Sequence, residues 1–551
     1  MRRSGHPGRH TGTPVTLVFV SSTHRTQELF VTNHSPCLAR RLSLAVAALI
    51  AAATCCAVPA HAAPPDKKTL QIAAPWEIGS LDPAKAGYIF TRMQVSETLV
   101  GVDAQGGLAP GLASGWEVSA NQLVWRFRLR PGAKFHDGAA LTPADAVRAL
   151  ERARANPGVL GNAPVQKISA DKDAVVFELS RPFSPLAAFL AHASTQILAP
   201  ASYAADGTVK AVVGTGPYKI ASIQPPQKME VERFDGWQGK KPAIERVGYL
   251  AVGRGETRNM LANSGQADLV FTHDPANFDR LKAQKKLKFE SMAIPRTIYI
   301  KVNAAHPALK DVATRRALSL AIDRTGIATG VMREPRAAAT QLFAPVMQEW
   351  HVPALQSLGR DLAQARELLK SAGWTPGPGG VLQRDGKPFK VTMRTFSDRP
   401  ELPTIATAIQ AQLKEVGIDM AVAIMNSGEI PGGHKDGSLE LALLARNYSL
   451  VPDPVGTLLQ DFGPTGGDWG AMNWTSAALR DAIAALSGAS DANRRSVLRG
   501  TIATILQADL PVIPVIWYQH TTTHGARISN VSIDPLELSF RIDQMQWTGR
   551  D

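Results

Sequence analysis

Residues 444–454, LARNYSLVPDP, set an arginine, an asparagine and a tyrosine side by side after an apolar run, then bracket Asp453 between two prolines. The Arg446 guanidinium is always charged and carries a planar fork of donors that fits a carboxylate. In a partly desolvated cleft that charge needs an anionic partner, because burying it alone costs several kcal/mol. Arg446 is therefore expected to face a ligand carboxylate, with an internal salt bridge as the alternative. Tyr448 projects to the same side if the strand continues, where it could stack on a ligand or donate its hydroxyl. Asn447 points the other way and is the more remote contact. Asp453 reads as a loop-capping acid.

Reactive constellations are missing elsewhere. The chain has no HExxH, no GxSxG and no P-loop, and GRGETRN at 253–259 lacks the third glycine of a dinucleotide fingerprint. Of the eight histidines after residue 62, only His520 and His524 lie four apart, and the β-forming Thr521, Thr522 and Thr523 between them argue against a helical metal pair. His136 and Asp137 are neighbours, so on a strand they face opposite sides; with Gly138 they read as a hairpin turn. All three cysteines, Cys37, Cys55 and Cys56, fall within the first 62 residues, which excludes disulfides, thiolate metal sites and cysteine nucleophiles from the remainder. No catalytic role, cofactor or resident metal is expected.

The elements that must hold these residues belong to a large globular chain. Its 551 residues suffice for about three or four domain-sized units, and 44% hydrophobic with 19% charged content fits a folded protein. The net charge is +13, but residues 1–62 hold six arginines against Glu28 alone, leaving 54 bases and 46 acids after them. Those bases are scattered. The densest run, KAQKKLK at 282–288, reads as a solvated helix face, so no nucleic-acid partner is expected.

Arg40 and Arg41, the apolar LSLAVAALIAAA at 42–53, and Ala60-His61-Ala62 form a secretory signal with cleavage expected after Ala62. The apolar run is too short for a bilayer-spanning helix, which needs about 20 residues. Cys55 and Cys56 lack the leucine usual before a lipidated cysteine, and residues 1–36 read as an extension upstream of the true start.

Leu123, Trp125, Phe127 and Leu129 alternate with polar residues, which predicts a strand with one buried face. LTPADAVRALERA predicts a helix capped by Thr142, with Pro143 at its first position and Asp145 in its first turn. Residues 401–425 read as a helix, a stop at Gly417 and a strand; 439–446 reads as a strand apolar on both faces; 511–518 returns as a strand.

The segment LAPGLASGWEVSANQLVWRFRLRPGAKFHDGAALTPADAVRALERA, at 108–153, closely resembles the signature of the family 5 extracellular solute-binding proteins of ABC importers for oligopeptides, dipeptides, nickel and metallophores. GTGPYKIASI, RRALSLAIDR, AQARELLKSAGW and VPDP follow in the family's order, so the resemblance covers essentially all of 67–545. It implies an α/β, two-lobe periplasmic-binding-protein fold of the large three-subdomain type, with a hinge and an interlobe ligand cleft. Lobe 1 would combine 63–305 with 511–551 and include an inserted subdomain near 109–211; lobe 2 would be 306–510. The implied function is capture of a small ligand (a short peptide, an opine-like carboxylate or a metal chelate) by a periplasmic monomer. That monomer would pass it to permease subunits in the inner membrane. In peptide-binding members this strand end carries an aspartate for the peptide's free amine; the matching residue here is Leu450. Nickel-type members place a histidine before the arginine; here Ala445 stands there. Tyr88 and Phe90, after Asp82-Pro83, match a helix start the family brings to the cleft, and Trp469 lies in a Gly-rich loop at its rim. A nickel or metallophore carrier is the alternative reading. An exported hydrolase, which would need a nucleophile set not visible here, and a nutrient-sensing adaptor are more remote.

Overall fold

The computed structural model describes residues 68–549 apart from 157 and 465; the expected signal segment, its cleavage point and the three cysteines lie outside the described residues. Ten strands make the main sheet: β1 Thr69–Ala74, β2 Tyr218–Gln224, β3 Lys228–Arg233, β4 Arg246–Ala251, β5 Leu269–Phe271, β6 Leu287–Val302, β7 Lys390–Phe396, β8 Asp419–Met425, β9 Leu441–Asn447 and β10 Val512–Gly525. Their spatial order is β8-β7-β9-β6-β10-β5-β1-β4-β3-β2. β1 runs parallel to β4 and β5, and β7 runs parallel to β8 and β9. Between these two parallel groups stand β6 and β10, antiparallel to each other and to their outer neighbours. The architecture is the mixed α/β class expected.

β6 and β10 are the longest strands, at 16 and 14 residues. Their ladder has two parts. Leu287–Ala293 pairs with Gly525–Gln519, and Thr297–Lys301 pairs with Trp517–Val512, with a register break between Ala293 and Thr297. Pro295 lies in that break. It has no N–H to give to a ladder, so a bulge is where it fits. The sequence reading did not identify β6, whose one internal proline the bulge accommodates. β10 also runs seven residues past the expected end at Tyr518, through the threonines, to Gly525.

Among the described residues the three largest apolar cores are built on or beside this frame. One gathers residues of β6, β7, β9 and β10 with the helices between 312 and 506. A second packs β1 and β4 against Phe90, Tyr218 and the C-terminal Phe540 and Met545. The third lies over a four-stranded sheet of Ala113–Val118, Val124–Leu129, Ala174–Leu179 and Val165–Asp171, in that order. There Trp125, Phe127 and Leu129 are buried, with exposed or half-buried residues between them, as the period of two predicts. The helix Pro143–Ala155 has the expected start: Thr142 Oγ1 accepts from the Asp145 amide, and the Asp145 carboxylate accepts from the Thr142 amide. Gly417, at φ +81°, closes the turn after the helix Glu401–Lys414, a conformation that a side chain would strain.

Candidate functional site

β9 carries Arg446 opposite Thr297 of β6, just past the break. The Arg446 fork is already occupied. Nε donates to Asp461 Oδ2 and Nη2 to Asp461 Oδ1, both at 2.7 Å, and Nη2 also reaches Gln460 Oε1 at 3.3 Å. Asp461 ends the helix Pro454–Asp461 and is 1% exposed. The expected anionic partner is thus internal, while Nη1 stays outside the pair. The helix is started by Asp453, whose side chain accepts from the Val455 amide with Pro454 at the first position, so the capping role holds. Sequence gave no pointer to Asp461, which lies 15 positions after the residue it pairs with.

This pairing predicts the behaviour of Arg446→Ala. With no solute present, the variant should lose about 3 kcal/mol of stability in chemical denaturation, because it strands a buried carboxylate. An arginine held only for a ligand would leave the solute-free stability unchanged.

Two expected contacts are core residues instead. β9 stops at Asn447, the Tyr448 amide donates to Pro295 O at 2.7 Å, and the turn swings the ring inward. Tyr448 is fully buried, edge-on to Phe343 at 5.5 Å. Phe90 is fully buried against β1 and β4, since the helix Tyr88–Arg92 presents Ile89 and Phe90 to that core. Asn447 is also internal: its Nδ2 donates to Glu537 Oε2 at 2.7 Å, and its Oδ1 accepts from the Ser449 amide and hydroxyl.

Tyr88 and Trp469 do line clefts. Tyr88 shares one with His192, Leu450, Gln460 and Glu537, and its hydroxyl donates to Glu77 O at 3.1 Å. Trp469 shares the other with Arg446, Asp461 and Asp468. Gly158 and Gln460 line both, so the two clefts adjoin. The Gly-rich loop carrying Trp469 is fixed from β6. Tyr299 Oη donates to Trp469 O at 2.6 Å, and Lys301 Nζ donates to Gly467 O at 2.6 Å and Asp468 O at 3.0 Å.

Behind the first cleft lies a cluster the sequence did not reveal. Glu537, from the segment after β10, joins three buried arginines from distant parts of the chain. Arg92 Nε donates to Glu537 O at 2.9 Å, Arg296 Nη2 lies 2.6 Å from Glu537 Oε2, and Arg399 stands over the Tyr518 ring at 5.1 Å. Arg92 stacks over Trp76 at 4.0 Å, and Arg296 lies 5.3 Å from the Tyr518 ring centre. The arginines are 4%, 4% and 9% exposed. Arg92 Nη1, Arg296 Nε and Nη1, and Arg399 Nη1 are buried and find no acceptor among the described residues. Burial alone would raise the Glu537 carboxyl, but Arg296, His520, Arg92 and Arg399 override it and push it down to about 2. Burial lowers the Arg296 guanidinium to about 10 and raises the carboxyls of Asp398 and Glu401. The same cluster leaves acceptors unmatched as well, Glu401 Oε1 and Glu537 Oε1 being buried with no partner among the described residues, and of its members only Glu537 lines the first cleft.

The model of the family described as bacterial extracellular solute-binding proteins, family 5, matches residues 107–469. A nickel-binding periplasmic protein of Escherichia coli K12 is 24% identical over 519 residues, spanning 90% of this chain and 98% of that protein. A dipeptide-binding protein of the same strain is 25% identical over 469 residues, spanning 78% and 84%. Among solved structures, NikA of Staphylococcus aureus in complex with Ni(L-His)2 aligns with a TM-score of 0.77 at 21% identity, covering 87% of this chain and all of that one. The oligopeptide-binding protein AppA of Bacillus subtilis, in complex with a nonapeptide, aligns at 0.77 with 18% identity, covering 87% and 99%.

Proposed function

The chain belongs to family 5 of the bacterial extracellular solute-binding proteins, and on that premise we propose that it captures a small organic carboxylate in the periplasm. The carrying observation is the set of buried guanidinium donors on Arg92, Arg296 and Arg399 that find no acceptor among the described residues. An anion entering there replaces a desolvation cost with charge-assisted hydrogen bonds. A short peptide docked by its C-terminal carboxylate, or an opine-like molecule, meets that requirement. The protein is a binding component of an ABC importer, not an enzyme. On this reading it hands its solute to permease subunits in the inner membrane and acts as a monomer.

A lobe made of 63–305 with 511–551 would close on 306–510 about the ladder break in β6 and β10. The solute must bind the closed form better than the open one, since equal affinity shifts nothing. Arg446 contributes through Nη1 alone, with Tyr88 and Trp469 on the cleft wall. A metal chelate is the second reading, favoured by the same arginines: a metal wrapped in a polycarboxylate arrives as an anion. No group of three or more His, Cys, Asp or Glu among the described residues could hold a bare ion.

Native mass spectrometry of the purified exported protein should release a carboxylate-bearing solute. Arg399→Gln and Arg92→Gln should each weaken that solute at least about tenfold in calorimetry, the worth of one charge-assisted hydrogen bond. A purely cationic solute, or unchanged affinity in both variants, would remove the proposal. Edman sequencing should find the mature start at Ala63.

A further inference from the structure

Lys301 is fully buried on β6, and three acceptors surround its Nζ: Gly467 O at 2.6 Å, Asp468 O at 3.0 Å and His434 Nδ1 at 2.9 Å. An ammonium has three N–H bonds, so the match is one for one when His434 carries its ring hydrogen on Nε2 and leaves Nδ1 bare. The two carbonyls belong to the residues just before Trp469, which lines the second cleft with its ring edge-on to Phe396 at 6.4 Å. The loop has little slack. A side chain at Gly467 would strike Gln460 O and one at Gly470 would strike Asp461 O, so the loop lies flush on the end of the helix Pro454–Asp461.

The lysine and the histidine share protons. With one positive charge between them, Lys301 is the ammonium and His434 accepts. With none, the neutral amine keeps two N–H bonds for the two carbonyls and turns its lone pair to an Nδ1–H. Both states hold the loop. A second charge does not fit, because the two nitrogens then oppose each other as donors and as cations at 2.9 Å. His434, on the helix Glu429–Lys435, is half-buried, so its ring is the one that can move into water. Water following the ring competes for the N–H bonds that held the carbonyls. The surrounding charges agree with this. Burial pushes Lys301 down to about 7, with Asp461 and Asp468 opposing and Arg446 adding to the fall. Burial lowers His434 too, with the charges of Lys301 and Lys435 in the same direction and Asp468 against them.

We propose that Lys301 and His434 form a proton-gated pin. Lys301 is the positioning residue that sets Trp469 on the cleft wall while the pair holds at most one positive charge, and a second proton, taken up by His434 in acid, frees the loop. The bearing of this pin on capture rests on the clefts being the solute site.

The test uses the purified exported protein labelled with 5-fluorotryptophan, with no solute added. The Trp469 resonance is assigned by its loss in Trp469→Phe, and Trp374, stacked on Phe389 at 4.2 Å, is the control for general unfolding. Spectra are recorded from pH about 8 to 5, across the range where an ordinary imidazole titrates. The Trp469 resonance should hold its position from pH about 8 to 6.5 and then shift as His434 protonates, while Trp374 stays in place. His434→Gln, whose amide oxygen accepts from Lys301 without titrating, should keep the neutral-pH resonance throughout. Lys301→Met should show the freed resonance at every pH; should that variant not fold, the comparison with His434→Gln decides alone. A Trp469 resonance that ignores pH, one that moves only together with Trp374, a titration in His434→Gln like that of the unaltered protein, or a pinned resonance in Lys301→Met overturns the proposal. Native mass spectrometry keeps the two readings apart: a carboxylate solute released from a protein whose loop does not respond would remove the pin alone, and a responding loop with no carboxylate solute would remove the proposed function alone.

Discussion

Replacing Arg296 with leucine should lower the solute-free unfolding free energy by about 3–5 kcal/mol, the cost of leaving a buried charge without its partner. The charge left behind is Glu537, whose side chain is 2% exposed and whose Oε2 lies 2.6 Å from Arg296 Nη2. The double variant Arg296→Leu with Glu537→Gln should recover most of the loss, because it removes both charges and keeps the Asn447 contact on an amide oxygen. The interaction term of that cycle, read by urea denaturation, carries the claim. Strictly additive losses would mean that the two residues stabilise the fold independently. The same double variant should stay impaired in solute binding, since the Arg296 donors that lack acceptors go with the side chain.

Acidification should destabilise the protein steeply below pH about 6.5, where an unfolded histidine begins to take up its proton. Burial pushes His273 down to about 3 and His136, His192 and His520 down to about 4. These rings stay neutral in the fold and charge in the unfolded chain. The unfolded state therefore binds more protons between pH about 6.5 and 4, and stability falls with pH across that window. His273 and His520, 2% and 3% exposed, should contribute about 3 kcal/mol each, and the partly exposed His136 and His192 less. Glu537 extends the loss: its folded carboxyl, at about 2, lies below the unfolded value, so its contribution is present above pH about 4.5 and disappears as pH falls toward 2. Denaturation curves from pH 7 to 4 should show this slope. His520→Phe, placed in the ring stack with Phe271 at 5.6 Å, should make it shallower. A flat profile from pH 7 to 5 would contradict the buried neutral rings.

Local structure was legible where a residue acts on its near neighbours. The capping of Pro143–Ala155 by Thr142 and Asp145, the stop at Gly417 and the alternation of Trp125, Phe127 and Leu129 all follow from short-range rules. The site was less legible, because its partners meet across long separations. Arg446 carried the right chemistry, but Asp461, which neutralises it, sits on a helix end that spacing alone does not aim. Arg92, Arg296 and Arg399 lie in three unrelated segments that only the assembled sheet and the C-terminal segment bring around Glu537. Tyr448 was placed on the wrong side because the strand was extended by one residue beyond Asn447. Tyr88 and Trp469 were found through the resemblance and do line clefts, whereas Phe90, one helix face away from the cleft, packs inward.

The interruption in the β6 and β10 ladder puts Arg296 between Ala293 and Thr297, which on the proposed lobe closure is the line about which the sheet's two parallel blocks would swing. On a door, a point at the pin travels least while the outer edge sweeps widest. A guanidinium at the pin keeps its place whether the door stands open or shut, so it can grip an arriving anion before the walls have moved. Arg399 and the loop carrying Trp469, both on the outer leaf, then arrive as the leaf swings in. Binding should accordingly show two kinetic phases, a fast salt-sensitive capture that depends on Arg296 and a slower salt-insensitive enclosure that depends on Arg399.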